Sequence, residues 1–168
     1  MQTSLVLTIH GPDRPGLVGA LADVVSDHEG SWMESRMANL SGQFAGILRV
    51  ECPVSRRADL EVELAKLAGR GLHVQIAGDS SSEKATGRSV EISITGHDEP
   101  GIVKKITSVL AAKNVNVEEL ETSLESAPMA GHLLFCTNGE VRLPEGLEIA
   151  ELVNALEELG SDLSVDLH

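Results

Sequence analysis

The hydrophobic positions of the chain repeat with two periods, one of two residues and one of about 3.6 residues. Near the start, Leu5, Leu7 and Ile9 alternate with less apolar neighbours, which predicts a half-buried β-strand. The apolar residues after it are spaced i, i+1, i+4, i+7 and i+8, and such a stripe predicts an amphipathic helix. The members of this stripe are Leu17, Val18, Leu21, Val24 and Val25.

Two more strands, a second helix and a last strand follow the first helix. The strands are predicted near 31–40 and 44–52, and the residues 41–43 between them are typical of a hairpin turn. A leucine stripe then marks a second helix, and a strand over 72–77 closes the pattern. The predicted order is therefore β-α-β-β-α-β, the order of a split βαβ module. The leucine stripe consists of Leu60, Leu64 and Leu67.

The whole pattern occurs twice, because the chain is similar to itself at an offset of 85 residues. Residues 4–50 lie over 89–135 without a gap. Five identical residues near the first helix align at this offset. Gly11, Asp13, Pro15, Gly16 and Val18 align with Gly96, Asp98, Pro100, Gly101 and Val103. Further along, Ala45, Gly46 and Leu48 meet Ala130, Gly131 and Leu133.

The second copy is longer than the first. Its second-helix leucines lie at an offset of 92, so we place seven additional residues around 138–146. Its last three strands are predicted near 115–124, 132–138 and 163–167, with a turn at Ala127-Pro128. The leucines concerned are Leu152, Leu156 and Leu159.

The pattern predicts an α+β chain of two tandem ferredoxin-like βαββαβ domains. We place the first domain at 1–78 and the second at 89–168, joined by a polar, glycine-flanked linker at 79–88. Each domain is expected to have a four-stranded antiparallel sheet with two helices on one face. The other face stays open, and together with the small domain size it favours a homodimer.

Charge and motif content narrow the classes of function. The net charge is −13 with only 13 Lys and Arg, all scattered, which disfavours direct binding to nucleic acid or to an anionic membrane. The two cysteines form no CxxC pair and the six histidines no metal-binding spacing, so we predict no metal and no cofactor. No catalytic motif and no signal peptide are visible, which predicts a cytoplasmic protein that is not an enzyme.

The repeated turn resembles the D-x-P-G-[LI]-[VI] opening of ACT domains, which are regulatory modules that sense amino acids. The resemblance covers essentially the whole chain, once per copy, and a tandem without a catalytic partner is similar to the glycine cleavage system transcriptional repressor family. It rests on two segments, Gly11-Pro12-Asp13-Arg14-Pro15-Gly16-Leu17-Val18 and Gly96-His97-Asp98-Glu99-Pro100-Gly101-Ile102-Val103.

The resemblance implies an amino-acid site at the strand-to-helix turns, where two modules pack side by side. It also implies action through contact with a transcriptional activator or another regulatory protein, in the control of glycine metabolism. Helix N-termini accept carboxylates, glycines let a ligand approach the backbone, and Asp13 or Asp98 would accept from an ammonium group. The candidate ligand-binding residues are Gly11, Asp13, Arg14, Pro15, Gly16, Leu17, Val18, Gly96, His97, Asp98, Pro100, Gly101, Ile102 and Val103.

Plainer interpretations stand beside this one. Asp13 and Asp98 would serve equally as helix caps, and Gly16 and Gly101 would serve close packing of helix on sheet. Of the two turns, the first is preferred as the ligand site because it has Arg14 where the second has Glu99. The whole protein would also fit a ligand-independent interaction scaffold, or a regulatory subunit that binds a metabolic enzyme in trans.

Overall fold

Two units, residues 1–83 and 84–168, divide the chain in the computed structural model. The structure describes residues 1–79, 86–126 and 131–168. Each unit has its own sheet, its own pair of helices and its own cluster of buried side chains. None of the helices within the described ranges is long and apolar enough to cross a membrane.

The first unit contains four strands and two α-helices. A short 3₁₀ turn stands on either side of the second helix, at Val54–Arg56 and Leu67–Arg70. The elements are β1 (Gln2–Pro12), α1 (Leu17–Asp27), β2 (Ser31–Leu40), β3 (Gln43–Pro53), α2 (Arg57–Lys66) and β4 (His73–Asp79).

The second unit repeats the same order of elements. Both units therefore confirm the β-α-β-β-α-β order that the hydrophobic periods predict. The elements are β5 (Arg88–His97), α3 (Ile102–Ala112), β6 (Asn116–Ser126), β7 (Leu133–Leu143), α4 (Ile149–Glu157) and β8 (Ser164–Leu167).

The strand order is the same in both sheets. The first sheet runs β2-β3-β1-β4 and the second runs β6-β7-β5-β8, and every neighbouring pair is antiparallel. The first and third strands of each unit thus lie at the centre of its sheet, and the other two form its edges. This is the predicted ferredoxin-like arrangement.

One face of each sheet is buried under the two helices. Leu5, Leu7 and Ile9 are completely buried, and helix α1 packs Leu21 and Val25 against them. In the second unit Val90, Ile92 and Ile94 fill the same inward positions. The residues between these on the strands point to the opposite face, because successive strand side chains alternate.

The hairpin between β2 and β3 is closed by two residues with positive φ. Leu40 pairs directly with Gln43, and the intervening Ser41 and Gly42 have φ of 50° and 80°. Positive φ at both central residues is the type I′ geometry, whose twist matches that of the flanking strands. The turn predicted at 41–43 is therefore one residue shorter than expected.

The register corrects the alignment of the two copies. Leu7 pairs with Leu48, whereas its counterpart Ile92 pairs with Gly139, an offset of 91 in the third strand rather than 85. Six of the seven additional residues therefore lie between β6 and β7, and not around 138–146. Strand β7 accordingly continues to Leu143 instead of ending at 138.

The matches of Ala45, Gly46 and Leu48 with the second copy are consequently coincidental. Gly131 and Leu133 do not occupy the positions of Gly46 and Leu48 in the sheet. Ala130 and the turn predicted at Ala127-Pro128 lie outside the described residues.

The linker at 79–88 stays a prediction. Strand β4 includes Asp79 and strand β5 begins at Arg88, so both end residues of the predicted linker are in strands. Residues 80–85 lie outside the described residues.

Gly11 is the position in the first unit where a side chain is least tolerable. A Cβ there would overlap the backbone carbonyl oxygen of Gly71, and backbone cannot move aside cheaply. We expect Gly11→Ala to lower the free energy of unfolding of the first unit by about 1–3 kcal/mol. Urea unfolding followed by Trp32 fluorescence measures this, since the chain has one Trp.

Gly19 is the matched control. It lies in helix α1 with open space where a Cβ would be, so Gly19→Ala should stabilise the helix by about 0.5–1 kcal/mol. Equal unfolding midpoints for the two variants would show that the approach of Gly71 to Gly11 is not a packing constraint.

Candidate functional site

An open cleft lies at the strand-to-helix turn of the second unit. Its volume is about 400 Å³, within the range of small-molecule sites. The turn and the start of helix α3 form one side of the cleft, and the edge strand β6 forms the other. The lining residues are Asp98, Glu99, Gly101, Ile102, Val103, Thr122, Ser123, Leu124 and Phe135.

Backbone hydrogen bonds hold this turn in place. The N–H of Asp98 donates to the carbonyl oxygen of Leu133 (3.1 Å), which ties the turn to the start of β7. The N–H of Ile102 donates back to Glu99 (3.2 Å). Gly101 has φ of 86°, a left-handed conformation that glycine adopts without strain. The chain therefore reverses sharply from β5 into α3.

The start of helix α3 offers backbone donors to the cleft. The helical ladder begins with the bond from Lys105 N–H to Gly101 (3.0 Å), so the amides of Val103 and Lys104 precede it. Such amides and the positive end of the helix dipole favour a carboxylate. Ile102 contributes only its backbone, because its side chain is buried in the core.

The charge of Glu99 is offset locally. Lys105 Nζ lies 2.5 Å from Glu99 Oε1, so the carboxylate of Glu99 is paired rather than directed alone at the cleft. Asp98 is half-buried in the cleft wall. The lining of the cleft thus includes the carboxylate of Asp98, the amide of Val103 and the hydroxyls of Thr122 and Ser123.

The first turn has the same backbone path but a different neighbour. The N–H of Asp13 donates to the carbonyl oxygen of Gly42 (2.9 Å), and Gly16 has φ of 90°. Here Asn39 Nδ2 donates to Asp13 Oδ2 at 2.5 Å, which engages the carboxylate. Leu124 stands at the equivalent position of the second unit, so Asp98 has no such amide beside it.

Most of the remaining candidates of the first turn are exposed. Arg14, Pro15 and Gly16 are open to solvent, and Val18 is 41% exposed, as Val103 is 42% exposed in the second unit. Pro100 is likewise exposed. Leu17 is buried, and its N–H donates to Arg14 at 3.5 Å.

Helix capping does not account for the two aspartates. The N-cap residues are Gly16 and Gly101, and neither helix has a side-chain hydrogen bond at its cap. The capping interpretation of Asp13 and Asp98 is therefore wrong.

Gly11 and Gly96 serve packing rather than the cleft. Both are buried, and a Cβ on either would overlap a neighbouring segment, at Gly71 and Leu163 respectively. A glycine at these positions allows the segment before the last strand to pass close to the turn. Both candidates are thus buried, and Gly96 is not among the residues that line the cleft of the second unit.

Two histidines and an aspartate lie beside the second turn. The backbone N–H of His97 donates to Asp162 Oδ2 (2.9 Å), and the rings of His97 and His132 have centroids 4.6 Å apart. The His97 hydrogen bond, with smaller contributions from the charges of both histidines, lowers the pKa of Asp162. This contact attaches the end of β5 to the segment before β8.

Sequence reasoning missed the far wall of the cleft. Thr122, Ser123 and Leu124 belong to the edge strand β6, and Phe135 comes from β7. The order of strands was the available signal, since a βαββ order places the hairpin end of the second strand beside the first turn.

An apolar slot continues from the cleft beneath helix α3. It shares Val103, Thr122 and Phe135 with the cleft, and aliphatic residues together with Thr107 and Thr137 line the remainder. Its volume is about 10 Å³, close to the minimum that holds one water molecule. Only a very small side chain would enter it without displacing the core.

The described residues offer little for metal or thiol chemistry. Across 1–79, 86–126 and 131–168, no group of three or more His, Cys, Asp or Glu side chains is placed to hold a metal ion. Burial raises the pKa of the Cys52 thiol, with Arg57 opposing this, which disfavours the reactive thiolate. Cys136 is a half-buried free thiol.

Comparisons with known proteins agree with this architecture. A family model for the ACT domain matches residues 3–77 and again 89–168. A crystal structure of a protein of unknown function from Galdieria sulphuraria is 32% identical, with a TM-score of 0.82, covering 100% of this chain and 98% of the other. No curated protein gives a significant match.

A second solved structure is more distant in sequence. It is described as a glycine cleavage system transcriptional repressor, and it is 19% identical with a TM-score of 0.69. The match covers 100% of this chain and 98% of that protein. An identity this low shows a common fold.

The Asp162 contact predicts a pH-dependent contribution to stability. Because the pKa of Asp162 is lowered in the folded chain, its carboxylate stabilises the second unit at neutral pH. This contribution is lost as the pH falls from the ordinary range of an aspartate through the lowered folded value. We expect Asp162→Asn to be less stable than the wild type at pH 7, with the gap closing in acid.

Urea unfolding of the second unit, followed by amide NMR signals at pH 7 and pH 3, measures the gap. Asp166→Asn is the control, because Asp166 is an exposed carboxylate on the neighbouring strand β8. A gap of constant size at both pH values would contradict the role given to Asp162.

Proposed function

Because the chain belongs to the ACT-domain family in both of its halves, we propose that it is a regulatory protein that senses a small amino acid. ACT domains are regulatory modules that bind amino acids. The proposed action is through contact with another protein, without catalysis. The observation that carries the proposal is the open cleft at the second turn, which Asp98 lines together with the first residues of helix α3.

Each end of an amino-acid zwitterion has a partner in this cleft. The ligand carboxylate accepts from the amides of Val103 and Lys104 at the start of α3. The ammonium donates to Asp98, with the hydroxyls of Thr122 and Ser123 within the same cleft wall. Charge-assisted hydrogen bonds of this kind are stronger than neutral ones.

The second turn replaces the first as the preferred site. The sequence favours the first turn because of Arg14. In the structure, however, the Asp13 carboxylate at that turn already accepts a hydrogen bond from Asn39. The objection to the second turn was Glu99, and Lys105 offsets its charge. The geometry therefore favours a ligand at Asp98 over one at Asp13.

The ligand proposed is a small amino acid such as glycine, alanine or serine. The slot beyond the cleft admits about a water-sized group, so a branched or aromatic side chain would have to remain outside. Glycine is the leading candidate, which also agrees with the family similarity of the tandem arrangement.

The proposed partner is a transcriptional activator or another regulatory protein of amino-acid metabolism. The acidic chain, with a net charge of −13, would be repelled by DNA phosphates, which favours protein contact. A homodimer in the cytoplasm is the proposed working form. A ligand that binds one association state better than another shifts the balance between them.

Isothermal titration tests the site. We expect glycine, alanine or serine to release heat with the wild type, and Asp98→Ala to weaken binding by about 10- to 100-fold through loss of the ammonium acceptor. Asp13→Ala is the matched control at the first turn and should change the affinity little.

Each other outcome counts against part of the proposal. Absence of heat with every small amino acid at millimolar concentration argues for a ligand-independent scaffold. Equal losses in Asp13→Ala and Asp98→Ala would show that both turns bind, and a preference for leucine or phenylalanine would contradict the limit on ligand size.

Partner contact should depend on the same ligand. A tagged chain is used to capture proteins from a lysate of its source, with and without glycine, and Asp98→Ala is run in parallel. We expect capture of a transcriptional regulator that changes with glycine for the wild type alone. Capture of a metabolic enzyme instead would support the alternative that the chain is a regulatory subunit that binds an enzyme in trans.

A further inference from the structure

Two histidines lie side by side on the open face of the first sheet. His10 on the central strand β1 pairs directly with His73 on the edge strand β4. Both residues are exposed, and their rings are nearly parallel, with centroids 5.1 Å apart and an angle of 21° between the planes. Ile9, the residue before His10, is completely buried, so the alternation of strand side chains directs the imidazole of His10 outward.

The spacing of histidines along the sequence does not reveal this pair. His10 and His73 are far apart in the chain, and the antiparallel register of β1 and β4 places them opposite each other. The expectation of no metal rested on sequence spacings, which detect ligands that share one helix, one strand or one loop. A pair formed across two strands is outside what that criterion can find.

The separation of the two rings suits two bonds to one metal ion. An imidazole nitrogen binds Zn²⁺ at about 2.1 Å. Two imidazoles that share one ion at a square-planar or tetrahedral angle therefore have centroids roughly 4.5–5.2 Å apart. The observed 5.1 Å lies within this range. Aiming a nitrogen of each ring at a common point requires rotation about χ2, which is a soft torsion in histidine.

Strand pairing on both sides holds the backbone of His10. It lies opposite Ala45 of β3 as well as His73 of β4, and Ala45 in turn pairs with Ala38 of β2. Both alanines are exposed, and their methyl groups leave space above this row of the sheet. Water molecules that complete the coordination of an ion fit in that space.

The charge around the pair favours a cation. Strands β1 and β4 contain no Lys or Arg, and the next row of the same face pairs Thr8 with Gln75, which are both neutral. The net charge of the chain is −13, and a negative protein raises the local concentration of cations. An ion at the two histidines therefore meets no basic side chain from the strands that hold it.

The equivalent positions of the second unit contain Thr95 and Ser164. These residues pair directly across β5 and β8, as His10 and His73 pair across β1 and β4. The fold therefore does not require histidine at either position. The second unit also supplies matched replacements, because the same backbone arrangement accommodates a threonine and a serine there.

We propose that His10 and His73 bind one divalent transition-metal ion. Imidazole is a suitable ligand for Cu²⁺, Ni²⁺ and Zn²⁺, and water fills the remaining coordination positions. With two protein ligands the site stays open, unlike a structural site closed by four. The proposal goes beyond amino-acid sensing and does not depend on it, since the cleft at Asp98 is in the other unit.

His97 and His132 form the competing pair. Their ring centroids are 4.6 Å apart, but His132 precedes the first residue of β7 and is not held within a strand. The neighbouring carboxylate of Asp162 already accepts from the backbone N–H of His97. At His10 and His73, by contrast, both ligands belong to paired strands.

Calorimetric titration of the full chain with Cu²⁺, Ni²⁺ and Zn²⁺ at neutral pH tests the site. We expect a single ion per chain, with Cu²⁺ bound most tightly of the three. His10→Thr and His73→Ser should each weaken binding by about 100-fold, because losing one of two linked ligands removes the gain from chelation. Circular dichroism checks that each variant is folded.

NMR spectroscopy locates the ion. Cu²⁺ is paramagnetic and broadens the signals of nearby nuclei, so the amide signals around His10 and His73 should broaden first in the wild type. The double variant, His10→Thr with His73→Ser, should keep these signals sharp at the same Cu²⁺ concentration. Broadening centred on His97 and His132 in the wild type would overturn the proposal.

His168→Gln is the control, because it removes another exposed histidine, and it should leave the affinity unchanged. A wild type that binds none of the three ions at millimolar concentration contradicts the proposal, and so does a double variant that binds them as the wild type does. Glycine titration of the double variant separates this site from sensing. Loss of metal binding with unchanged glycine binding supports two independent sites, whereas metal binding without any glycine binding counts against sensing alone.

Discussion

One-sided burial is the constraint on which the rest of each unit depends. The helices cover a single face of the sheet, so residues such as Leu7 and Leu48 point inward and are fully buried, while Val6 and Arg49 point outward. The inner face is filled mostly by aliphatic side chains, and the hydroxyl of the buried Thr137 there already donates to the carbonyl oxygen of Glu121. Chemistry is therefore confined to the ends of the elements and to the open face.

A backbone hydrogen bond joins the turn to the hairpin in both units, but the two hairpins differ in length. It attaches the turn to Gly42 in the first unit and to Leu133 in the second. Two residues separate Leu40 from Gln43, whereas eight separate the equivalent pair Glu125 and Leu134. With a longer hairpin and Leu124 in place of Asn39, the Asp98 carboxylate has no side-chain amide beside it equivalent to that of Asn39.

The order of helices and strands could be predicted from the sequence, but the pairing register of the strands could not. Periods of two and 3.6 residues report which face of a segment is buried, so Leu5 to Ile9 and Leu17 to Val25 identified their elements correctly. Register depends on pairing partners that a single strand does not encode, and a chance Ala-Gly-x-Leu match misplaced β7. The turn was recognisable in the sequence by its glycine and proline. That Thr122 lines the cleft could be inferred only from the order of strands in the sheet, which places β6 beside the turn.

Strand β6 contributes residues to both faces of the second sheet. Its residues alternate, so Leu120 and Thr122 line the inner slot and cleft while Glu119 and Glu121 lie on the open face of the sheet. As an edge strand it is hydrogen-bonded on one side only, to β7, and it can shift at lower cost than a central strand. In the proposed sensing role, a ligand that orders β6 at the cleft would also affect these outward glutamates, and by linkage a partner that contacts them and the ligand would alter each other's affinity by the same factor.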